Sequence, residues 1–363
     1  MRRCLAPFTL TLLMLTTAFA GCLGGDDGAE PVVTLRIISY DAFGVTDEML
    51  GEFTHQTGIG IELTRVGDAG SVLSSVIHSE GTGLYDLALG IDNSYLGAAL
   101  DAEVFQPLST SRASLSARAL APYDGNLAIP FDVGSVCINY DTAHVDGENV
   151  TVPTSLWNFT GADWTGKVAV QNPRTSSPGR AFLIATTEYF ADDADTSTDY
   201  TDWWSAMKAN EVIVTDGWTE AYEVYYSAGY GQWNSGFIGD AKAVVSYCHS
   251  PGVEAYFNDN WTTSVALNLP GASFGQVEYA AFLIGSEQRM AIADRFVEWL
   301  VSAGVNSQMP TLNYMYPAIE GGDLPEDAGY RWHAVVPTDA VVSPAEIDEN
   351  IATWLDGWDA AMA

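Results

Sequence analysis

The sequence predicts an α/β protein of two lobes, the first of them discontinuous, with a ligand cleft between the lobes. Three observations lead there. Strand-like and helix-like apolar patterns alternate along the chain, as they do in layered α/β units and not in sandwiches. Its 363 residues exceed what one small core requires. Two segments, Ala128 to Gly134 and Leu269-Pro270-Gly271 leading into the run Gln276 to Ile284, set Pro and Gly between apolar runs, the pattern of a chain crossing between lobes. The crossings divide the chain into a first lobe, 33–130 plus 275–363, and a second lobe, 131–274.

A leader precedes the lobes. Arg2 and Arg3 are followed by the apolar run Leu5 to Phe19 and by Ala20-Gly21, the small residues a signal peptidase accepts. Residues 1–21 are therefore expected to be removed, leaving Cys22 first and available for a lipid. The run is too short for a bilayer-spanning helix, and 22–32 reads as a flexible tether. The expected location is extracytoplasmic, on the outer face of the cytoplasmic membrane, held by the lipid alone.

Charge narrows the partners. The whole chain carries 14 basic and 47 acidic residues, a net charge of −33; without the leader's two arginines it is −35. Nucleic acid and anionic membrane are poor partners for such a surface. The acids overlie ordinary apolar patterns in a chain that is 47% hydrophobic, which points to a heavily hydrated fold suited to salt and not to disorder. Apart from Cys4 and Cys22, only Cys137 and Cys248 remain, enough for one bridge at most. Cys137 lies in an apolar run, so a buried free thiol is expected. Asn149, Asn158 and Asn260 open N-x-Thr sequons.

Taken in order, Leu35 to Ser39 is a strand. Thr46 to Gln56 is a helix with Met49, Leu50 and Phe53 inward, and Ile59 to Val66 a second strand. Gly67 to Ser71 opens a helix whose apolar face is Val72, Leu73, Val76 and Ile77. Tyr85 to Ile91 is a buried strand ending on Asp92-Asn93. Ser177-Pro178 starts another helix, with serine as cap and proline in the first turn. The helices Glu287 to Ala303 and from Pro344 onward are expected to pack on the first lobe.

The 11 Trp and 17 Tyr often stand beside Gly, Pro, Asp or Ser, as in clefts for flat or cationic solutes. Four clusters carry this signal: Ser39 to Phe43 at a strand's C-terminal end, Gln171 to Gly179, Asp216 to Tyr222, and Ser246 to Pro251. Thr311 to Pro317 adds further rings. The helix starts at Gly70-Ser71 and Ser176-Ser177 offer free N–H groups to an anion, although capped helices alone explain them. Tyr222, Tyr225 and Tyr226 share helical spacing, which places at least two of them in the core.

Six motifs in one order, Tyr40-Asp41-Ala42-Phe43, Leu89 to Asn93, Pro130 to Gly134, Asn172 to Gly179, Gly217 to Tyr222 and Asn313 to Pro317, resemble the thiamine-binding receptors of ABC importers. The resemblance runs from about residue 33 to the C-terminus. It implies a two-lobed periplasmic-binding-protein fold of type II that closes on thiamine, thiamine monophosphate or thiamine diphosphate, in the lipoprotein form of a salt-adapted archaeon. It further implies a monomer, no cofactor, and an ABC permease with its ATPase as partners. By match to the family's motifs, Tyr40, Trp218, Tyr247 and Tyr314 line the ring pocket, with Tyr222 and Asp92 beside it. Asp68, Gly70, Thr175 and Ser176 fall at the polar or phosphate end. Tyr314 stands where the family usually has tryptophan. His249 is expected at the surface, with a phosphate contact as the alternative.

Enzyme chemistry finds no support. There is no Gly-x-Ser-x-Gly elbow, and His55, His78, His144, His249 and His333 are far apart. No catalytic or metal residue is assigned. Iron(III) receptors share the implied fold, and Tyr225-Tyr226 imitate their adjacent phenolates; a polyamine receptor is the third possibility.

Overall fold

Among the described residues, eleven strands form one continuous ladder system: β1 Val33–Ser39, β2 Ile59–Arg65, β3 Leu87–Asp92, β4 Phe105–Gln106, β5 Ile129–Asp141, β6 Val168–Gln171, β7 Ile213–Thr215, β8 Ala243–Tyr247, β9 Ser264–Ala266, β10 Phe274–Leu283 and β11 Tyr316–Pro317. The computed structural model describes residues 33–192, 197–322, 324–325, 330–335 and 337–363. Cys22, the leader and the tether lie outside the described residues.

The strands follow the order β2-β1-β3-β10-β5-β8-β6-β7. β1 pairs in parallel with β2 and β3, and β10 runs antiparallel to both β3 and β5. Parallel neighbours need crossover helices. The helix Asp47–Thr57 supplies one, capped by Thr46, whose Oγ1 accepts from Met49 N–H, and closed by Gly58 at φ 72°. Its Leu50 and Phe53 are buried. The helix Ala69–His78 supplies the next; Val72, Leu73 and Val76 face inward, whereas Ile77, expected on the apolar face, is 40% exposed.

Two apolar cores lie along this ladder. The first runs through Leu35, Ile37, Phe53, Leu87, Phe131, Val133, Val277 and Phe296. The second runs through Val136, Ile138, Phe182, Trp203, Trp204, Val245 and Phe274. β5 and β10 each belong to both. The chain passes between the cores within two strands, so the crossing at Pro130 to Gly134 is strand and not turn: it lies inside β5, all 13 residues of which are buried. Pro130 is the second residue of the strand and lies beside the register shift against β10, where a missing N–H is tolerated.

Three expectations are corrected. The helix Pro344–Met362 packs on helices Tyr200–Ala209 and Ser177–Ala191, and its Ile347, Leu355 and Trp358 join the second core; an apolar face in sequence does not say which lobe it covers. Cys137 is no free thiol. It forms a disulfide with Cys248, their Cα atoms 5.4 Å apart. The tryptophans mostly serve packing: Trp203 stands edge-on to Trp204, and Trp204 to Trp358, at 4.8 and 6.0 Å.

Candidate functional site

Between the cores, at the C-terminal ends of β1 and β8, lies a cavity of about 40 Å³ lined by Tyr40, Asp68, Trp218, Tyr222, Tyr247, Glu278, Asn313 and Tyr314. That volume holds a few waters and no bicyclic ligand, so admission of one requires the lobes to part.

The aromatic wall belongs to the second lobe. A single π turn, Glu220–Tyr225, brings Tyr222 under Trp218, and the rings stack at 4.8 Å and 15°. Such turns recur at functional sites because they re-aim side chains. The indole is fixed further by Nε1–H donating to Ser246 Oγ at 2.8 Å. Tyr247 closes the wall 6.5 Å from the Trp218 ring, and Tyr230 extends it to Tyr314 at 6.1 Å.

The floor is acidic. Tyr40 lies on Gly90, whose φ of 88° and missing Cβ leave room for the ring. Its hydroxyl donates to Glu278 Oε2 at 2.7 Å, and Asn313 Nδ2 donates to the Tyr40 oxygen at 2.7 Å and to Asp132 Oδ2 at 2.5 Å. Burial pushes the Asp132 and Glu278 carboxyls well above the ordinary carboxylate range; the Asp132 charge raises Glu278 further, while hydrogen bonds with Asn313 and Glu278 offset part of the rise at Asp132.

At the opposite end the lobes touch directly. Asp68 caps its own helix by accepting from Ala69 N–H at 3.2 Å. Its Oδ2 also accepts from Ser176 Oγ at 2.6 Å and from Trp218 N–H at 3.4 Å. Gly70 N–H donates to the Thr175 carbonyl at 3.2 Å, an approach that any Cβ on Gly70 would obstruct. The donors expected to meet an anion are thus engaged by the protein's own oxygens.

Of the ten expected ligand residues, Tyr40, Asp68, Trp218, Tyr222, Tyr247 and Tyr314 line the cavity. Thr175 borders an adjoining groove with Asp68 and Gly217. Ser176 and Gly70 act at the lobe contact. Asp92 falls away from the cavity: it is fully buried, accepts from Ser94 and Tyr95, and bonds Ser177 across the lobes, with burial raising its carboxyl to about 6. Ser176, not Ser177, is the N-cap residue of Ser177–Ala191. His249 is neither at the surface nor on an anion. It is buried, bonded through Nε2 to the Tyr314 carbonyl, and held neutral by burial, its pKa lowered to about 4.

Glu278 and Asn313 escaped the sequence reading. Asn313 stood inside a quoted motif, next to the tyrosine that drew attention; Glu278 is one acid among 47 and belongs to no motif.

Comparison with known proteins agrees with this architecture. The family described as bacterial extracellular solute-binding protein matches residues 83–223. The thiamine-binding periplasmic protein of Salmonella typhimurium is 26% identical over 339 residues, 92% of this chain and 94% of that protein; its Escherichia coli counterpart is 27% identical over 342 residues, with the same shares. A solved periplasmic thiamin binding protein superposes with a TM-score of 0.75 at 24% identity, covering 91% of this chain and 96% of that one. The chain therefore has the two-lobed α/β fold of type II periplasmic binding proteins, and the sequences it is similar to along nine-tenths of its length are thiamine-binding periplasmic proteins.

Proposed function

We propose that this protein is an extracytoplasmic receptor that captures thiamine or its phosphates between its lobes and delivers them to an ABC permease and its ATPase. One observation carries the reading: a cleft with a stacked Trp218–Tyr222 wall over a floor of two buried carboxyl groups. A thiazolium over an aromatic face gains about 0.5 to 2 kcal/mol, and carboxylates supply acceptors for an aminopyrimidine. The similarity to thiamine-binding periplasmic proteins supports the same ligand. Closure works by differential contacts, since a ligand bridging the lobes stabilises the closed arrangement more than the open one.

The iron(III) alternative loses ground on geometry. Tyr226 is fully buried and shares a hydrogen bond with Ser264 Oγ at 2.8 Å, away from the cavity that Tyr222 lines. The leader and Cys22 support export and tethering through a lipid, and the segments 330–335 and 337–363, which join Cys248, Gly271, Ser273 and the second core, go with the second lobe.

Titration of the protein's tryptophan fluorescence with thiamine, thiamine monophosphate, ferric citrate and spermidine tests the choice. Saturable quenching by a thiamine species at micromolar concentration is expected. A response to ferric citrate with none to any thiamine species would overturn it. The mass of the mature N-terminus decides lipidation at Cys22.

A further inference from the structure

Asp132 and Glu278 stand directly opposite each other across the β5–β10 ladder, at 0% and 4% exposure. Two ionised carboxylates in that position repel each other in a medium that screens poorly. Their neighbours offer polar donors and little charge. Tyr40 and Gln276 donate to the two Glu278 oxygens at 2.7 and 3.3 Å, and Asn313 donates to Asp132 Oδ2. Asp132 Oδ1 has no hydrogen-bond donor, and the Glu278 and Asp132 carboxyls are placed to share a proton.

The charged and titratable groups facing the pair do not offset it. From β3 and the loop before helix Ala69–His78 come Asp92 and Asp68, both carboxylates; from β8 comes the Tyr247 hydroxyl. Arg180 is turned to Tyr95, 3.5 Å from its ring, and to main-chain oxygens of Pro173 and Ser94. Arg118 reaches Gly134 O and Ser135 Oγ, and His249 is neutral. Among the described residues neither acid of the pair has an ion-pair partner. The pair therefore retains a proton while no external cation is near, and Glu278 presents it to the cavity.

We propose that the Asp132–Glu278 pair is a proton-exchanging counter-ion: it gives up its shared proton when a fixed cation enters the cleft, so that capture of the ligand releases a proton to solvent. The exchange balances, one ligand cation replacing one proton with no other change of charge. It rests on the thiamine reading, because the thiazolium charge cannot be removed by deprotonation as an amine's can. Two functions follow for the pair. It discriminates against neutral ring compounds of the same shape, and it links affinity to pH, with binding tightening as pH rises towards the point where the free pair ionises by itself.

Titration calorimetry of the intact protein with thiamine, in two buffers of different ionisation heat and at pH 6, 7 and 8, provides the test. Release of close to one proton per thiamine at pH 6 and 7 is expected, with affinity rising up to tenfold per pH unit. Glu278→Gln and Asp132→Asn should each abolish most of the release; the parent measurement stands even if a variant fails to fold. Thiamine binding with identical heats in both buffers and pH-independent affinity would overturn the exchange while leaving the thiamine reading intact. Proton-linked binding of spermidine without any binding of thiamine would overturn both the thiamine reading and the exchange, because an ammonium group can itself supply the proton. Proton-linked binding of neither cation would overturn the proposal.

Discussion

His249 Nε2–H donates to the main-chain carbonyl of Tyr314, and Tyr314 is held in the left-handed region at φ 57°. That conformation is unfavourable for a bulky residue, so the surroundings must enforce it. The bond fixes the imidazole tautomer, with Nε2 protonated and Nδ1 bare, and ties the first lobe's tyrosine to the second lobe's wall. His249→Ala is expected to lower stability by about 1–3 kcal/mol and to weaken thiamine binding. His249→Gln, which can still donate, should recover part of both. Thermal melts and tryptophan fluorescence titration measure the two effects; an alanine variant identical to the parent in both would remove the tie.

Trp218→Ala should reduce thiamine affinity at least tenfold, about 1.4 kcal/mol. Trp218→Phe should fall between the two, because the ring face over Tyr222 survives while the indole bond to Ser246 is lost. Equilibrium dialysis with labelled thiamine reads both.

Asp68 occupies the Ser176 hydroxyl and the Trp218 N–H, donors that a ligand phosphate would need. Its carboxylate also repels such a group. Asp68→Asn is therefore expected to raise the affinity ratio of thiamine monophosphate to thiamine by about tenfold. An unchanged ratio in competition titrations would mean that the phosphate binds elsewhere.

Glu254 accepts from Tyr222 Oη–H at 2.7 Å and from Tyr230 N–H at 3.0 Å, and burial raises its carboxyl to about 7. The folded state then holds a proton that the unfolded chain has already lost, so stability contributed by Glu254 falls between about pH 4.5 and 7. Glu254→Gln keeps both acceptor contacts. Its gain in melting temperature over the parent should be absent near pH 4.5 and reach a plateau above pH 7. His249 acts in the opposite sense: its pKa is lowered, so its contribution is lost as pH falls from about 6.5 towards 4.

The Cys137–Cys248 bridge spans 111 residues, and closing a loop of that size restricts the unfolded chain by about 4–5 kcal/mol. Alkylation of the unreduced, unfolded protein should leave both cysteines unlabelled. The Cys137→Ser, Cys248→Ser double variant should melt lower by a margin that reducing agent reproduces in the parent.

Local patterns made the outer elements legible. The helix beginning at Thr46, the helix opened by Gly67 to Ser71, the inward Leu50 and Phe53, and the strand ending on Asp92 follow from periodicity and turn chemistry that act within a few residues. The aromatic wall was legible for the same reason, since Trp218 and Tyr222 sit four residues apart near a Gly. What failed depends on distance in space. Ser176 lends its hydroxyl to Asp68, 108 residues away, and no local signal reports that. Pro130 to Gly134 reads as a turn because Pro and Gly punctuate most sequences, yet here both lie in a strand shared by two cores. Glu278 faces Asp132 only because β10 returns beside β5 after more than a hundred residues.

β10 shifts register against β5 between Glu278 and Tyr279, and against β3 between Tyr279 and Ala280. A bulge concentrates twist and bending at one residue step. A pivot at this step would coincide with an acid that lines the cavity. Movement and recognition would then share a single point of the backbone, and a substitution at Glu278 would change both the charge offered to a ligand and the stiffness of the joint. On the proposed reading, the sensor and the axle are one part.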